Sequence, residues 1–238
     1  MALARGTEWL LEQLADPFEI FPIQGVADTI ADAVDEAKAQ MSEKGGWAAR
    51  KYWTVETEHY HDEMGLLIGS AFVLGQDAIT QTISILSELR KDERALDLIP
   101  SNKIDKMSTY AQTDPSTNLS KIAIINTAAN YFKHVYEWPE NWDETLTSGN
   151  QRRTILMARK IGMCPGSSRT DNLLRARRCL ITAPVNEARV IPNIIQDWRE
   201  CWADQLYPAF GYNPNLFELA NLANVTAALD DPDHEWTF

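Results

Sequence analysis

The chain has 238 residues, of which 45% are apolar and 24% are charged; these proportions are typical of a globular protein and exclude a disordered or low-complexity chain. Its formal net charge of −12 disfavours nucleic-acid binding by the surface as a whole. No uninterrupted apolar run reaches the length of a bilayer span, and Arg5, Glu8 and Glu12 interrupt the apolar residues at the N-terminus, which a secretory signal would not allow. The three cysteines are widely spaced and contain no CxxC pair, which indicates reduced thiols in a cytoplasm.

Helical periodicity dominates the chain, and convincing alternating strand patterns are almost absent. The sequence does not decide between a strand and a helix at residues 47–61. The aromatic and β-branched residues of this segment favour a strand, but a helix is also compatible with it. We expect residues 230–238 to form a weakly ordered tail. The predicted helices cover residues 7–15, 26–41, 64–89, 119–136, 150–161, 168–180, 187–205 and 214–229. The fold class predicted is therefore all-α, a helical bundle with a helical C-terminal extension.

The helix at 119–136 carries the most specific local signals. It follows the breaker at Asp114 and Pro115, so Ser116 or Thr117 is the expected N-cap. Its apolar residues recur at helical spacing and predict a stripe that faces the core. The stripe consists of Leu119, Ile122, Ile125, Ala129, Phe132 and Tyr136.

The charge of the chain divides it into two parts. Residues 1–149 form a predicted acidic helical bundle, and residues 150–238 form a basic-to-acidic helical extension that we expect to pack on the bundle as one unit. Within the extension, residues 151–178 carry eight Lys or Arg against the single Asp171, a net charge of +7, which leaves −19 on the rest of the chain. This basic segment predicts either a local positive surface or arginines that pair with the acidic remainder of the fold.

The candidate site lies at residues 129–134 (ANYFKH). Asn130 and His134 are four residues apart, so on a helix they share one face with Ala123 and Thr127, and these small or polar groups leave room for a partner helix or a ligand. Histidine moves protons near neutral pH, and Lys133 beside it could hold a phosphate. The alternative is an ordinary hydrogen bond between packed helices.

This segment resembles the motif of the HEPN superfamily of small all-helical proteins. That motif is an Arg, often followed by a polar residue such as Asn, and a His that ends it; Asn130 and His134 match, but Ala129 stands where the Arg is expected. The resemblance implies metal-independent RNA cleavage, in which the His does acid–base work on the ribose 2′-hydroxyl, the Arg steadies the phosphate and two protomers join their motifs. Without the Arg, the charge must come from Lys133 or the basic segment, or the protein is a non-catalytic relative.

A second cluster of polar residues lies at 56–63 (ETEHYHDE). It contains two Glu-x-x-His pairs, a spacing that di-iron helical bundles use to bind metal, although no second copy and no further glutamates can be assigned. The alternative is a solvated acidic face before the long helix, and we expect no metal site there. The chain also lacks the glycine-rich nucleotide loops and the G-x-S-x-G elbow. The Cys164-to-Arg169 spacing is one residue short of a cysteine-phosphatase loop.

Two functions are therefore expected from the sequence. The first is a HEPN-like, cytoplasmic protein of a bacterial RNA-targeting, toxin–antitoxin or anti-phage system, active as a ribonuclease or an inactive relative, without a cofactor or a membrane. It would act as a homodimer or hetero-complex. Its catalytic residues would be His134 and Asn130, and its RNA-binding residues would be Lys133, Arg152, Arg153, Arg175, Arg177 and Arg178. The second is a non-catalytic subunit whose basic segment docks a partner protein.

Overall fold

The computed structural model describes residues 5–15, 21–44, 50–138, 141–142, 149–181 and 190–214. Within these ranges the protein is all-α, as predicted, with one short hairpin of two-residue strands. The α-helices are α1 (Arg5–Ala15), α2 (Phe21–Glu43), α3 (Val55–Leu89), α4 (Lys103–Ser108), α5 (Lys121–His134), α6 (Gly149–Lys160), α7 (Arg169–Arg178) and α8 (Val190–Phe210). The strands are β1 (Thr113–Asp114) and β2 (Leu119–Ser120), which pair antiparallel. The predicted helix at 214–229 lies outside the described residues, except for Pro214, and so does the tail at 230–238.

Helix α3 is the centre of the bundle. It packs against α1, α2, α4, α5, α7 and α8. Its buried residues include Met64, Ile68, Phe72 and Ile79, which recur at helical spacing. It begins nine residues before the predicted start at residue 64, because the Thr54 side chain caps it by accepting a hydrogen bond from the Thr57 backbone N–H at 3.2 Å. The ambiguous segment is thus helical from Val55 onwards.

Three glycines of α3 let other helices approach its backbone closely. A Cβ added at Gly65 would overlap Thr170 of α7, and one at Gly69 would overlap the Phe132 ring of α5. At Gly75 it would press on Ile191 of α8. At Gly75 the added Cβ would also meet Ile125 of α5, so this glycine lies close to two neighbouring helices.

The predicted start of the helix that carries the candidate site is wrong. Helix α5 begins at Lys121, and its N-cap is Ser120, whose Oγ accepts from the Ala123 N–H at 3.1 Å. Residues 114–117 instead close a turn between the strands, because the Asp114 carboxylate accepts hydrogen bonds from the Ser116 and Thr117 hydroxyls, each at 2.6 Å.

The far end of α5 also differs from the prediction. The helix ends at His134, and the chain continues as a short 3₁₀ turn, Val135–Glu137. This change of geometry turns Tyr136 out to solvent, with 86% of its surface exposed, so its place in the core stripe is wrong. Ile122, Ile125 and Ala129 are fully buried, as the stripe predicts.

Helices from both predicted parts of the chain contribute to one hydrophobic core. Helix α6 packs against α5, while α7 and α8 pack against α3. Ile155, Leu173 and Trp198 of these helices lie in the same cluster as Phe72 and Ile122. The extension and the bundle thus share apolar surface.

Helix α3 is also the one helix of the described residues long and apolar enough to cross a membrane by length and composition. No such segment is expected from the sequence, because polar residues interrupt every apolar run before it reaches that length. In the structure, 56% of the most apolar 18-residue window of α3 is buried against the other helices. The core helix of a soluble protein can meet the same criteria of length and composition, because its apolar residues are buried against other helices.

Candidate functional site

The structure brings Asn130 and His134 to one surface cleft of about 500 Å³, which we call the histidine cleft. Helix α5 places both side chains on its outer face, one turn apart, as their spacing predicted. The opposite wall is α6. The described lining residues are Asn130, His134, Glu137, Trp138, Gln151 and Thr154.

His134 lies at the rim of this cleft with 48% of its side chain exposed. Its Nδ1 atom is 3.2 Å from both carboxylate oxygens of Glu137. A carboxylate only accepts, so Nδ1 is the protonated nitrogen, and Nε2 of the neutral ring carries the lone pair. The Glu137 side chain is 72% exposed, so this hydrogen bond stabilises the fold little. The arrangement is a carboxylate-oriented histidine whose second nitrogen is free to take a proton.

Asn130 is held from behind by Gln76 of α3. The Gln76 side chain is buried, and its Nε2 donates to Asn130 Oδ1 at 3.0 Å. The same nitrogen lies 3.0 Å from Asn126 Oδ1 and 3.3 Å from the Asn126 backbone oxygen. Asn130 therefore makes a hydrogen bond between packed helices, which is one of the two alternatives given by the sequence analysis. The same residue also lines the histidine cleft.

The stripe that continues from Asn130 towards the start of α5 is covered by a helix. Ala123 and Thr127 are buried, and Thr127 Oγ1 lies 3.9 Å from Met157 Sδ of α6. The room left by these small residues is thus taken by a partner helix of the same chain, and the histidine cleft opens only at the end of that contact.

Ala129 lies on the other side of α5 and is completely buried. A guanidinium at this position would point into the core. The absence of the motif arginine is therefore built into the packing of α5.

The predicted phosphate-binding residues are dispersed. Lys133 is exposed next to His134, and Arg152 and Arg153 are exposed on α6, between Gln151 and Thr154 of the cleft wall. On a helix they diverge from that wall to either side. Arg178 is exposed at the far end of α7. Among the described residues that line the cleft there is no lysine or arginine.

Two of the predicted arginines contact or are buried by the protein itself. Arg175 Nη1 donates to the Gly162 backbone oxygen at 2.8 Å and to Cys164 Sγ, so it ties α7 to the loop before it. Arg177 is buried, and burial lowers its pKa to about 10 even though the charge of Asp35 favours protonation. Arg177 cannot meet an RNA backbone without leaving the core.

A second, smaller cleft of about 160 Å³ shares Trp138 with the first; we call it the thiol cleft. Tyr131, Trp138 and Trp142 form one wall, with ring centroids 5.2–6.2 Å apart. Cys164 and Ser167 lie on the other wall. Hydrogen bonds from Ser167 and Arg175 lower the pKa of the Cys164 thiol. From the sequence alone this loop is discounted, because the Cys164-to-Arg169 spacing is one residue short of a cysteine-phosphatase loop. The contact between Cys164 and Arg175 joins residues 11 positions apart and leaves no such motif in the sequence.

The Glu-x-x-His cluster does not assemble into a metal site. His61 is buried, with Nε2 3.3 Å from Asp171 Oδ1 of α7 and its ring 5.0 Å from that of Trp53. Glu56 instead pairs with Lys44, the residue that follows α2, at 3.0 Å. In the part of the chain that the structure describes, no group of three or more His, Cys, Asp or Glu side chains could hold a metal ion.

Sequence reasoning missed several residues of the histidine cleft. Glu137 could have been found, because it stands three residues after His134. Gln76 lies 54 residues before Asn130, and Gln151 and Thr154 lie 17 and 20 residues after His134, so local spacing carries no signal for them.

Comparisons with known proteins add no relative: no family model, no curated protein and no solved structure matches this chain. Function must therefore be inferred from the site alone.

Proposed function

We propose that this protein is a HEPN-like, RNA-targeting protein of a bacterial toxin–antitoxin or anti-phage defence system, with the histidine cleft as a metal-independent ribonuclease site. One observation carries the proposal: a histidine oriented by Glu137 stands at the rim of an open cleft and beside Asn130. The size of the cleft, about 500 Å³, suits a nucleotide-sized group. The proposal places the protein in the cytoplasm.

The chemistry follows from the protonation of His134. Nε2 takes the proton of a ribose 2′-hydroxyl, whose oxygen attacks the adjacent phosphorus. The bond from phosphorus to the 5′-oxygen breaks, the leaving oxygen takes a proton from water, and His134 releases its proton to the solvent, so the products are a 2′,3′-cyclic phosphate and a 5′-hydroxyl. No step requires a metal.

The described lining of the cleft contains no lysine or arginine, so it supplies no positive charge to balance that of a phosphate. Lys133, Arg152 and Arg153 are exposed beside it and are the candidates to approach a longer RNA. A homodimer would let the Arg152 and Arg153 of one protomer face the cleft of its partner. If neither arrangement forms, the protein is the inactive relative, which binds RNA without cutting it.

Cleavage of a single-stranded RNA in excess EDTA tests the proposal. We expect His134→Ala to reduce the cleavage rate by roughly 100-fold or more, as for the loss of a general base. His59→Ala is the matched control, because His59 is also exposed and lies on α3. Cleavage that persists in His134→Ala contradicts the catalytic role. Binding without cleavage by the wild-type chain identifies the inactive relative, and the absence of both excludes the RNA-targeting function.

The alternative function, a non-catalytic interaction subunit, has support from one observation. Within the basic segment, the side chains of Arg152, Arg153, Arg159 and Lys160 are exposed on α6, although the whole chain is acidic. Such a surface fits an acidic partner protein. A salt-sensitive complex that survives His134→Ala but not Arg152→Glu with Arg153→Glu would favour this alternative.

A further inference from the structure

We propose that Gln76 is a positioning residue that fixes the Asn130 amide with its N–H donors towards the histidine cleft, so that the cleft binds an oxygen acceptor, namely a phosphodiester. This inference rests on the proposed function, because it assigns a ligand group to the same cleft. It gives Asn130 a role that its type and spacing alone do not specify.

The orientation of Gln76 follows from a single contact. Its terminal atom lies 3.3 Å from the backbone oxygen of Asn126. A backbone carbonyl can only accept a hydrogen bond, so that atom must be the amide nitrogen, Nε2. The usual ambiguity between the oxygen and the nitrogen of a side-chain amide is thereby removed.

The orientation of Asn130 follows from that of Gln76. The Asn130 atom 3.0 Å from Gln76 Nε2 must be an acceptor, since two N–H groups would otherwise face each other. That atom is Oδ1, and Nδ2 therefore points away from α3. No hydrogen bond joins Nδ2 to another described residue, and Asn130 lines the histidine cleft. The two N–H donors are thus available to a ligand.

These donors stand one helical turn from His134, which lines the same cleft. An acceptor oxygen held by Asn130 would place the adjoining ribose within reach of the base. The non-bridging oxygen of a phosphodiester has this chemistry, and N–H donors bind it more strongly than they bind a neutral acceptor. A neutral donor thus supplies part of the charge stabilisation that Ala129 cannot.

The decisive variant is Asn130→Asp. The carboxylate still accepts from Gln76, so a purely structural role is retained, but an oxygen replaces the donor that faces the cleft. We expect the affinity for a 2′-O-methylated single-stranded RNA, which cannot be cleaved, to fall roughly tenfold or more, with an unchanged melting temperature. Asn193→Asp is the matched control, because Asn193 is exposed on α8 and gains the same charge.

A second variant tests the positioning itself. Gln76→Met removes the amide that holds Asn130, and we expect it to weaken binding of the same RNA. Gln81→Met is its control, since Gln81 is exposed on the same helix and bonds only Asp77 there, at 3.0 Å. If Gln76→Met does not fold, the Asn130→Asp comparison still decides.

A probe independent of RNA separates this inference from the proposed function. Dimethyl phosphate, the simplest phosphodiester, should shift the side-chain amide resonances of Asn130 in the wild-type chain but not in Gln76→Met. RNA binding that is unchanged in both variants overturns the inference and leaves the proposed function standing. A phosphate-induced shift without RNA binding supports the inference and overturns the function. The absence of both overturns both.

Discussion

At the scale of single residues, the three cysteines differ in ways that their sequence does not show. Hydrogen bonds from Ser167, whose Oγ lies 3.1 Å from Cys164 Sγ, and from Arg175 lower the pKa of Cys164. Burial raises the pKa of Cys179, and burial together with neighbouring carboxylates raises that of Cys201. At pH 7 the thiolate is thus most populated at Cys164, although Cys201 is more exposed.

This difference predicts the order of alkylation. With a limiting amount of iodoacetamide at pH 7, we expect Cys164 to react before Cys201, because the thiolate is the nucleophile. The advantage should shrink as the pH rises and the other thiols ionise. Peptide mass spectrometry measures the labelled fraction at each cysteine. Arg175→Met should slow labelling of Cys164, and faster labelling of Cys201 in the wild-type chain would contradict the prediction.

At the scale of elements, the spacing of helices around α3 is set by small residues. Gly69 faces the Phe132 ring of α5 directly, and α5 carries Asn130 and His134. The helical periodicity of α3 was visible in the sequence, but the role of Gly69 was not, because the residue it meets lies 63 positions further along the chain. Its packing partner exists only in the folded bundle.

Replacing Gly69 with alanine tests this packing. We expect Gly69→Ala to destabilise the fold by about 1–3 kcal/mol, because the added methyl group overlaps Phe132. Gly25→Ala is the control: Gly25 is an exposed helical glycine with no atom near its missing Cβ, so alanine there should stabilise by up to about 1 kcal/mol. Urea unfolding followed by circular dichroism measures both. Equal stability of the two variants would show that α3 and α5 are not so closely packed.

At the scale of the whole molecule, Arg199 joins the two ends of the described chain. It is buried in α8, and its guanidinium donates to the backbone oxygens of Gln13 and of Leu14, the latter at 3.1 Å. These carbonyls belong to the last turn of α1, where no helical N–H can reach them. Arg199, in the C-terminal part of the chain, thus caps the C-terminal end of α1.

We therefore expect Arg199→Met to release α1. The loss of charged hydrogen bonds to the two backbone carbonyls should cost about 2 kcal/mol or more, and backbone amide exchange should accelerate in α1 before it does in α3. Arg178→Met removes the same charge from an exposed site and should leave both quantities unchanged. Uniform acceleration across the chain would contradict a local role for Arg199.

The sequence by itself determined what depends on near neighbours. Helical periodicity predicted the all-α class, and the i, i+4 spacing placed Asn130 and His134 on one face, because both are properties of a single helix. The predicted N-cap of α5 and the predicted end of its core stripe were wrong. The Asp114 carboxylate binds Ser116 and Thr117 in a turn, and a 3₁₀ turn replaces the end of the helix.

Only the tertiary structure decided which groups meet across the bundle. In the folded protein Ala129 and Arg177 are buried, Gln76 orients Asn130, and Arg175 donates a hydrogen bond to the Cys164 thiol. These outcomes depend on contacts between helices that are far apart in the chain, and neither the periodicity nor the residue type at one position carries that information.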